Sequence, residues 1–111
     1  KGILEKFEDL LHTYFSEHRA STHGLPTVSY CASQLNLSAN YFGDLIKSEM
    51  GTTAQEYIHQ KVIDLAKERI FDHEKTISEI AYELGFNYPQ HFTRLFKQKV
   101  GISPTEYRSL N

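Results

Sequence analysis

Residues 76–107 constrain the fold most, because their spacing predicts a helix, a tight turn, a second helix and a short third helix. Thr76 and Glu79 form a T-x-x-E capping box at the start of the first helix. Gly85 lies at the turn, where a positive φ is favoured, and Asn87 is the expected N-cap of the second helix. Apolar or small residues at helical spacing predict the buried faces, which comprise Ile77, Ile80, Ala81, Leu84, Phe92, Leu95, Phe96 and Val100.

The residues around and after this turn predict the rest of the unit. Pro89 lies in the first turn of the second helix, where the missing N–H is not needed. Gly101 is the expected end of that helix, and Ser103 and Glu106 form a second capping box. Ala81 is a small residue at the point where the two helices cross, and Gly85 follows four positions later. Together they meet the steric requirements of a helix-turn-helix.

The complete pattern, A-x-x-x-G-F-x-x-x-x-x-F-x-x-x-F-K-x-x-x-G-x-S-P-x-x-Y-R, resembles the signature of the AraC/XylS transcriptional regulators. In this chain it comprises Ala81, Gly85, Phe86, Phe92, Phe96, Lys97, Gly101, Ser103, Pro104, Tyr107 and Arg108. The resemblance covers residues 27–108. It implies the C-terminal DNA-binding domain of such a regulator, with double-stranded DNA and RNA polymerase as partners.

Residues 27–57 repeat the same pattern, with Ala32 and Leu35 matching positions 81 and 84, and Phe42, Leu45, Lys47 and Gly51 matching positions 92, 95, 97 and 101. Asn36 replaces glycine at the turn, and asparagine tolerates the left-handed conformation better than other non-glycine residues. Ser38 is the expected N-cap of the following helix, with Leu37 and Phe42 as a hydrophobic staple. Two such units in one chain would give two groove-reading helices without a dimer.

These patterns predict an all-α, homeodomain-like fold of seven helices, with two helix-turn-helix subdomains joined by a long linker helix. The expected divisions are an N-terminal helix and loop (residues 1–26), the first helix-turn-helix (27–52), the linker helix (53–75), and the second helix-turn-helix with its C-terminal helix (76–111). A helix over residues 53–71 would span roughly 28 Å, less than the ~34 Å between equivalent major-groove sites one turn apart. For both recognition helices to reach their grooves, either these helices splay outward or the DNA bends toward the protein.

The first 26 residues match the family pattern less clearly. Apolar residues at helical spacing predict an amphipathic helix over residues 2–17, and residues 18–26 are expected to form a loop. The helix would either pack onto the domain behind it or contact an upstream domain. The chain begins with Lys1 rather than Met, so we expect a fragment of a longer protein. The family resemblance implies that a sensor or dimerisation domain lies upstream.

Composition limits the classes of partner. The 111 residues suit one small domain or two very small ones, and no apolar run approaches the ~20 residues of a membrane span. A single cysteine, Cys31, excludes an internal disulfide and favours a reducing, cytoplasmic location. The net charge of −2 argues mildly against nucleic acid. However, residues 85–111 carry four cations, Arg94, Lys97, Lys99 and Arg108, against Glu106 alone.

The second recognition helix is expected over residues 88–99, with Pro89, Gln90, His91, Thr93, Arg94 and Lys97 on its solvent side. Glutamine pairs with adenine edges, arginine with guanine, and threonine with bases or phosphates. The family resemblance implies that Gln90, His91, Thr93 and Arg94 face the major groove. The alternative is a merely solvated polar face.

The first recognition helix, over residues 38–50, departs from a basic pattern. Its candidate contacts are Asn40 as base reader, Tyr41, and Lys47 as phosphate contact. Gly43 offers no side chain, and Asp44 would repel phosphate although a carboxylate can accept a hydrogen bond from cytosine N4. This helix is therefore expected either to read bases or to have a role limited to docking or protein contact.

Other reactive residues do not form recognisable sites. Glu56 and His59 form a single Glu-x-x-His, which binds metals only in pairs, and no cysteine–histidine set has zinc spacing. Cys31 is expected to be a small core residue rather than a redox sensor, and the repeated Tyr57 and Tyr107 are expected to pack. No catalytic triad or phosphate-binding glycine loop is present, so neither an enzyme nor a cofactor is expected.

We therefore expect a sequence-specific DNA-binding transcription regulator that inserts two recognition helices into adjacent major grooves. The alternative is a protein–protein interaction module with the same fold, which the acidic balance and the Gly43–Asp44 face favour.

Overall fold

The computed structural model describes residues 2–111, which contain α-helices and no strands. The helices are α1 (Ile3–Ser16), α2 (Arg19–His23), α3 (Val28–Gln34), α4 (Ala39–Met50), α5 (Ala54–Arg69), α6 (Ile77–Glu83), α7 (Pro89–Val100) and α8 (Pro104–Arg108). The all-α class with two helix-turn-helix units is confirmed. Within residues 2–111 the number of helices is eight rather than seven.

The additional helix is α2, which occupies five residues of the segment expected to be a loop. His18 reverses the chain after α1 by adopting a left-handed conformation with φ 59°. Gly24, with φ 84°, then ends α2. Ala20 is buried in the core between these two breaks. Burial of this small residue holds one helical turn in place, which local composition does not reveal.

Two helix ends also differ from expectation. Asn87 is not the N-cap of α7, because α7 begins at Pro89 and Tyr88 occupies the cap position in an extended conformation, φ −128° and ψ 116°. A residue before proline is disfavoured from the helical region, so the boundary falls there. The linker helix α5 is expected to run to residue 71, but it ends at Arg69, with Ile70 as its C-cap.

Serine and threonine side chains cap five of the helices, including the three caps predicted at Ser38, Thr76 and Ser103. Side-chain oxygens of Thr27, Ser38, Thr53, Thr76 and Ser103 each accept a hydrogen bond from the backbone N–H three residues later. The capping boxes of α6 and α8 are reciprocal. In α5, by contrast, the carboxylate of Glu56 bonds to Lys99 on α7.

The first hydrophobic cluster joins α1, α3, α4 and the start of α5. Phe7 is fully buried, with its ring centroid 4.9 Å from that of Phe42 and 5.1 Å from that of Tyr57. Cys31 is fully buried in the same cluster, and burial raises the pKa of its thiol to about 11. Cys31 is therefore a core residue with little thiolate, and Tyr57 packs, as expected.

The second cluster joins α5, α6 and α7 with the C-terminal part of α1. Tyr14 and Phe15 of α1 are buried in it beside Phe92 and Phe96. Tyr107 packs 5.5 Å from Phe96, between ring centroids. Helix α1 thus contributes side chains to both clusters, as α5 does. The expectation that the N-terminal helix packs onto the domain is confirmed, and the two units share one continuous framework.

Candidate nucleic-acid interface

Helices α4 and α7 are structurally matched at an offset of 50 residues. Each has 12 residues and ends at a left-handed glycine, Gly51 with φ 72° and Gly101 with φ 99°. Each also follows a left-handed turn residue, Asn36 with φ 59° or Gly85 with φ 104°. Both predicted turn conformations are therefore present, and positions on one helix can be compared directly with positions on the other.

Core packing orients α7. Phe92 and Phe96 are fully buried, and Leu95 and Val100 pack against the same cluster. The opposite face is therefore turned outward and carries most of the residues expected there. Gln90, His91, Arg94 and Lys97 are exposed, whereas Pro89 and Thr93 are half-buried.

The cations of residues 85–111 fall into two pairs. Lys99 forms an ion pair with Glu56, and the Arg108 guanidinium donates hydrogen bonds to the carbonyl oxygens of Ile70 at 2.7 Å and Asp72 at 3.3 Å. These two cations hold the framework together. Arg94, by contrast, forms no hydrogen bond or ion pair within residues 2–111.

Lys97 also points outward, near the start of α8. Hydrogen bonds from Ser103 to the carboxylate are the main cause of the lowered pKa of Glu106, and the nearby charge of Lys97 adds a smaller effect. The unpaired charge of α7 thus consists of Arg94 and Lys97. Only two of the four cations of residues 85–111 are therefore available to a ligand, so the basic surface is smaller than composition suggests.

Helix α4 presents a different surface. Phe42 and Ile46 are buried, which leaves Asn40, Tyr41, Asp44 and Lys47 exposed, with 57% of Tyr41 accessible. Asp44 occupies the position that Arg94 occupies in α7, and Lys47 matches Lys97. Glu49 is exposed near the end of α4, at the position of Lys99 in α7, so the exposed side chains of α4 include two carboxylates and one lysine. The two candidate recognition helices are therefore alike in shape and opposite in charge.

Tyr88 is an exposed residue that is not among the candidate contacts expected from the sequence. It is 57% exposed, and its ring lies edge-on to the imidazole of His91, with 5.3 Å between the centroids. This contact orients His91 at the start of α7. The only sequence signal for it is an aromatic residue directly before Pro89, which forces the extended backbone that exposes the ring.

The residues considered for metal binding have other partners. Glu56 bonds to Lys99, and its Oε1 lies 3.8 Å from Nδ1 of His59. Partial burial is the main cause of the lowered pKa of His59. Across residues 2–111, histidine, cysteine, aspartate and glutamate do not gather in groups of three or more that could hold a metal ion. None of the helices in this part of the chain is long and apolar enough to cross a membrane.

Comparison with known proteins identifies the same arrangement. The family model described as "Helix-turn-helix domain" matches residues 31–109. The probable transcriptional regulator LumQ of Photobacterium leiognathi is 32% identical over 99 residues, which cover 89% of this chain and 39% of LumQ. The melibiose operon regulatory protein of Escherichia coli is 32% identical over 85 residues, 77% of this chain and 28% of that protein. The chain thus spans well under half of these relatives.

A solved structure shows the same fold along the whole chain. The C-terminal domain of AraT, a response regulator from Geobacillus stearothermophilus, superimposes with a TM-score of 0.85 at 26% identity, covering 100% of this chain and 87% of that one. With the family match over residues 31–109, the paired helix-turn-helix units and the similarity to transcriptional regulators, the chain belongs to the AraC-type helix-turn-helix domains of DNA-binding transcriptional regulators.

Proposed function

We propose that this chain binds double-stranded DNA as a monomer by inserting α4 and α7 into successive major grooves on one face of the duplex. The observation that carries the proposal is the matched pair of outward-facing 12-residue helices, each following a left-handed turn, on one shared framework. The DNA-binding domain of AdpA was solved in complex with a target DNA, and it shares this fold with a TM-score of 0.77 at 18% identity. That complex supports the choice of ligand.

The dimensions of the chain are compatible with two grooves. The longest extent is 41 Å, which exceeds the ~34 Å between equivalent groove positions one helical turn apart. Helix α5 has 16 residues and so spans roughly 24 Å, which is less than this separation. The recognition helices therefore extend beyond the ends of α5, or the duplex bends toward the protein.

Helix α7 is proposed to supply most of the sequence preference. Arg94 has a free guanidinium, which can donate two parallel hydrogen bonds to guanine O6 and N7. Gln90 suits an adenine edge, and His91 and Thr93 suit a base or a phosphate. Lys97, farther along the same face and near Glu106 of α8, is assigned to a phosphate. Pro89 would place the start of the helix against the groove wall.

Helix α4 is proposed to read fewer positions. Asn40 is its base reader, Tyr41 contacts the groove edge, and Lys47 contacts a phosphate. Asp44 opposes the phosphate field unless it accepts a hydrogen bond from a cytosine. For the longer protein, we further propose contact with RNA polymerase, an upstream sensor or dimerisation domain, a cytoplasmic location and no enzymatic role.

Footprinting tests the central claim. A monomer that occupies two successive grooves should protect about 20 base pairs, two helical turns, on a site selected from random DNA. Protection of a single half-site would contradict insertion of both helices. The rival function is a protein–protein interaction module, which the two carboxylates of α4 favour. A gel shift at low and high salt separates the two, because binding to phosphates must weaken steeply as salt rises.

A further inference from the structure

A groove beside α7 shares only His91 with the DNA contacts described above. It has a volume of about 420 Å³ and lies between the loop after α2 and the turn before α7. Its polar lining comes from His23 on one side and from Asn87, Tyr88 and His91 on the other. No residue that lines it is acidic, although the chain has 14 aspartates and glutamates. The cavity beside α4, about 390 Å³, includes Asp44.

The two walls of this groove are held at a fixed separation. A Cβ built on Gly85 would lie 2.7 Å from the carbonyl carbon of Gly24 and from the amide nitrogen of Leu25, so the two backbones are in direct contact. The hydroxyl of Tyr14 donates a hydrogen bond to the carbonyl oxygen of Gly24 at 2.7 Å, which fixes the loop to α1. His23, the last residue of α2 and exposed, is thereby placed beside α7 by the core and not by local structure.

One residue belongs both to the groove and to the proposed DNA surface. His91 lines the groove and faces outward from α7, and the ring of Tyr88 packs edge-on against it. A DNA strand that contacts His91 from the major groove must therefore run beside the opening of the groove. The sugar-phosphate backbone is the part of the duplex that borders a major groove on each side.

We propose that this groove binds the sugar-phosphate backbone of DNA, with the imidazole of His23 and the amide of Asn87 donating hydrogen bonds to phosphate oxygens. Imidazole and amide N–H groups are both suitable donors, and the sugar-phosphate backbone receives about half to two-thirds of the hydrogen bonds in protein–DNA complexes. The absence of lining carboxylates suits an anionic ligand. The proposal rests on the proposed function, and it extends the DNA surface to a loop that precedes both helix-turn-helix units.

A charge added at the groove tests this assignment without depending on loss of folding. His23→Lys and His12→Lys add the same charge, and His12 is exposed on α1 and does not line the groove. Binding would be measured on a selected site and on a random duplex of about 30 base pairs, three helical turns. We expect His23→Lys to tighten binding to both duplexes and to steepen the salt dependence by up to about 0.9 log units per log unit of salt. His12→Lys should change both quantities less.

Removal of the donor gives the complementary measurement. His23→Ala should weaken binding to both duplexes about three- to tenfold, while its melting temperature shows that it folds. Uncharged methylphosphonates, introduced at one phosphate at a time, should locate the contact, because the phosphate bound by His23 matters to the unaltered chain and not to His23→Ala.

Arg94→Ala in the same series separates failure of this proposal from failure of the proposed function. If Arg94→Ala weakens binding but His23→Lys behaves as His12→Lys does, the groove does not bind phosphate and only this inference is wrong. If Arg94→Ala also has no effect and footprinting shows no protected site, α7 does not enter a groove and both proposals are wrong.

Discussion

Gly24 and Gly85 lie backbone against backbone, with only 2.7 Å between the carbonyl carbon of Gly24 and the place where a Cβ on Gly85 would stand. Gly85 also has φ 104°, so glycine is needed there both for its backbone conformation and for lack of space. Asn36 makes the equivalent turn in the first unit, with φ 59° and an exposed side chain. The same turn therefore accepts asparagine in one unit and requires glycine in the other.

Substitution at the two turns should separate these requirements. Gly85→Asn should destabilise the chain by more than about 2 kcal/mol, because the side chain meets the backbone of the loop after α2 even though asparagine tolerates left-handed φ. Asn36→Gly should change the free energy of unfolding by less than about 0.5 kcal/mol. Urea denaturation followed by circular dichroism measures both. Equal stability of Gly85→Asn and the unaltered chain would show that the two backbones separate easily.

Arg94 and Lys97 should differ in the kind of contact they make. Arg94→Ala should cost about 1–3 kcal/mol on the selected site and relax the preference at one or two base pairs. Lys97→Ala should weaken all sequences alike and lower the salt slope by about one unit. Arg94→Lys should not restore the preference, because lysine lacks the planar fork.

These affinities would be compared on the selected site and on its single-base variants at two salt concentrations. Equal losses on every sequence for Arg94→Ala would make Arg94 a phosphate contact and leave Gln90 or His91 as the leading base reader.

Asp44 offers a test of how far α4 takes part in binding. Asp44→Ala should tighten binding to random DNA by roughly two- to fivefold at low salt, because a carboxylate near phosphates opposes association. Glu49→Ala removes a second exposed carboxylate of the same helix and serves as the matched control. Weaker binding of Asp44→Ala to the selected site alone would instead identify Asp44 as a reader of cytosine.

Arg108 is expected to stabilise the fold and not to contact DNA. Its guanidinium satisfies the carbonyl oxygens of Ile70 and Asp72 at the end of α5, so Arg108→Ala should lower the free energy of unfolding by about 1–3 kcal/mol. Base preference and salt slope should be unchanged when measured below the melting temperature. A change in salt slope with no change in stability would place Arg108 at the DNA surface.

The capping boxes should make stability depend on pH at the acid end. Hydrogen bonds from Thr76 and Ser103 lower the pKa values of Glu79 and Glu106 below the ordinary value of 4.5. Their contribution is therefore present above this value and is lost as pH falls through the lower pKa of the folded chain. The double variant Glu79→Gln and Glu106→Gln keeps the acceptors without the titration. Its melting temperature should fall less than that of the unaltered chain between pH 5 and pH 3.

The amino-acid sequence determined the elements that depend on neighbours a few residues away. The capping boxes of α6 and α8, the left-handed turns at Asn36 and Gly85, and the matched lengths of α4 and α7 all follow from local hydrogen bonds, backbone conformation and helical spacing. The same local rules misplaced the cap of α7, because Pro89 excludes Tyr88 from the helix and the side chain of Asn87 alone did not decide the boundary.

Only the tertiary structure decided which polar residues remain free for a ligand. In composition, Lys99 and Arg108 count as basic residues in the same way as Arg94. Lys99, however, is bound to Glu56, 43 residues away in the chain, and Arg108 is bound to carbonyl groups just after α5, 36 and 38 residues away. Helix α2 exists because Ala20 is buried by distant side chains, and His23 stands beside α7 because Gly24 contacts Gly85. Such contacts join residues whose separation in sequence carries no periodic signal, so packing alone determines them.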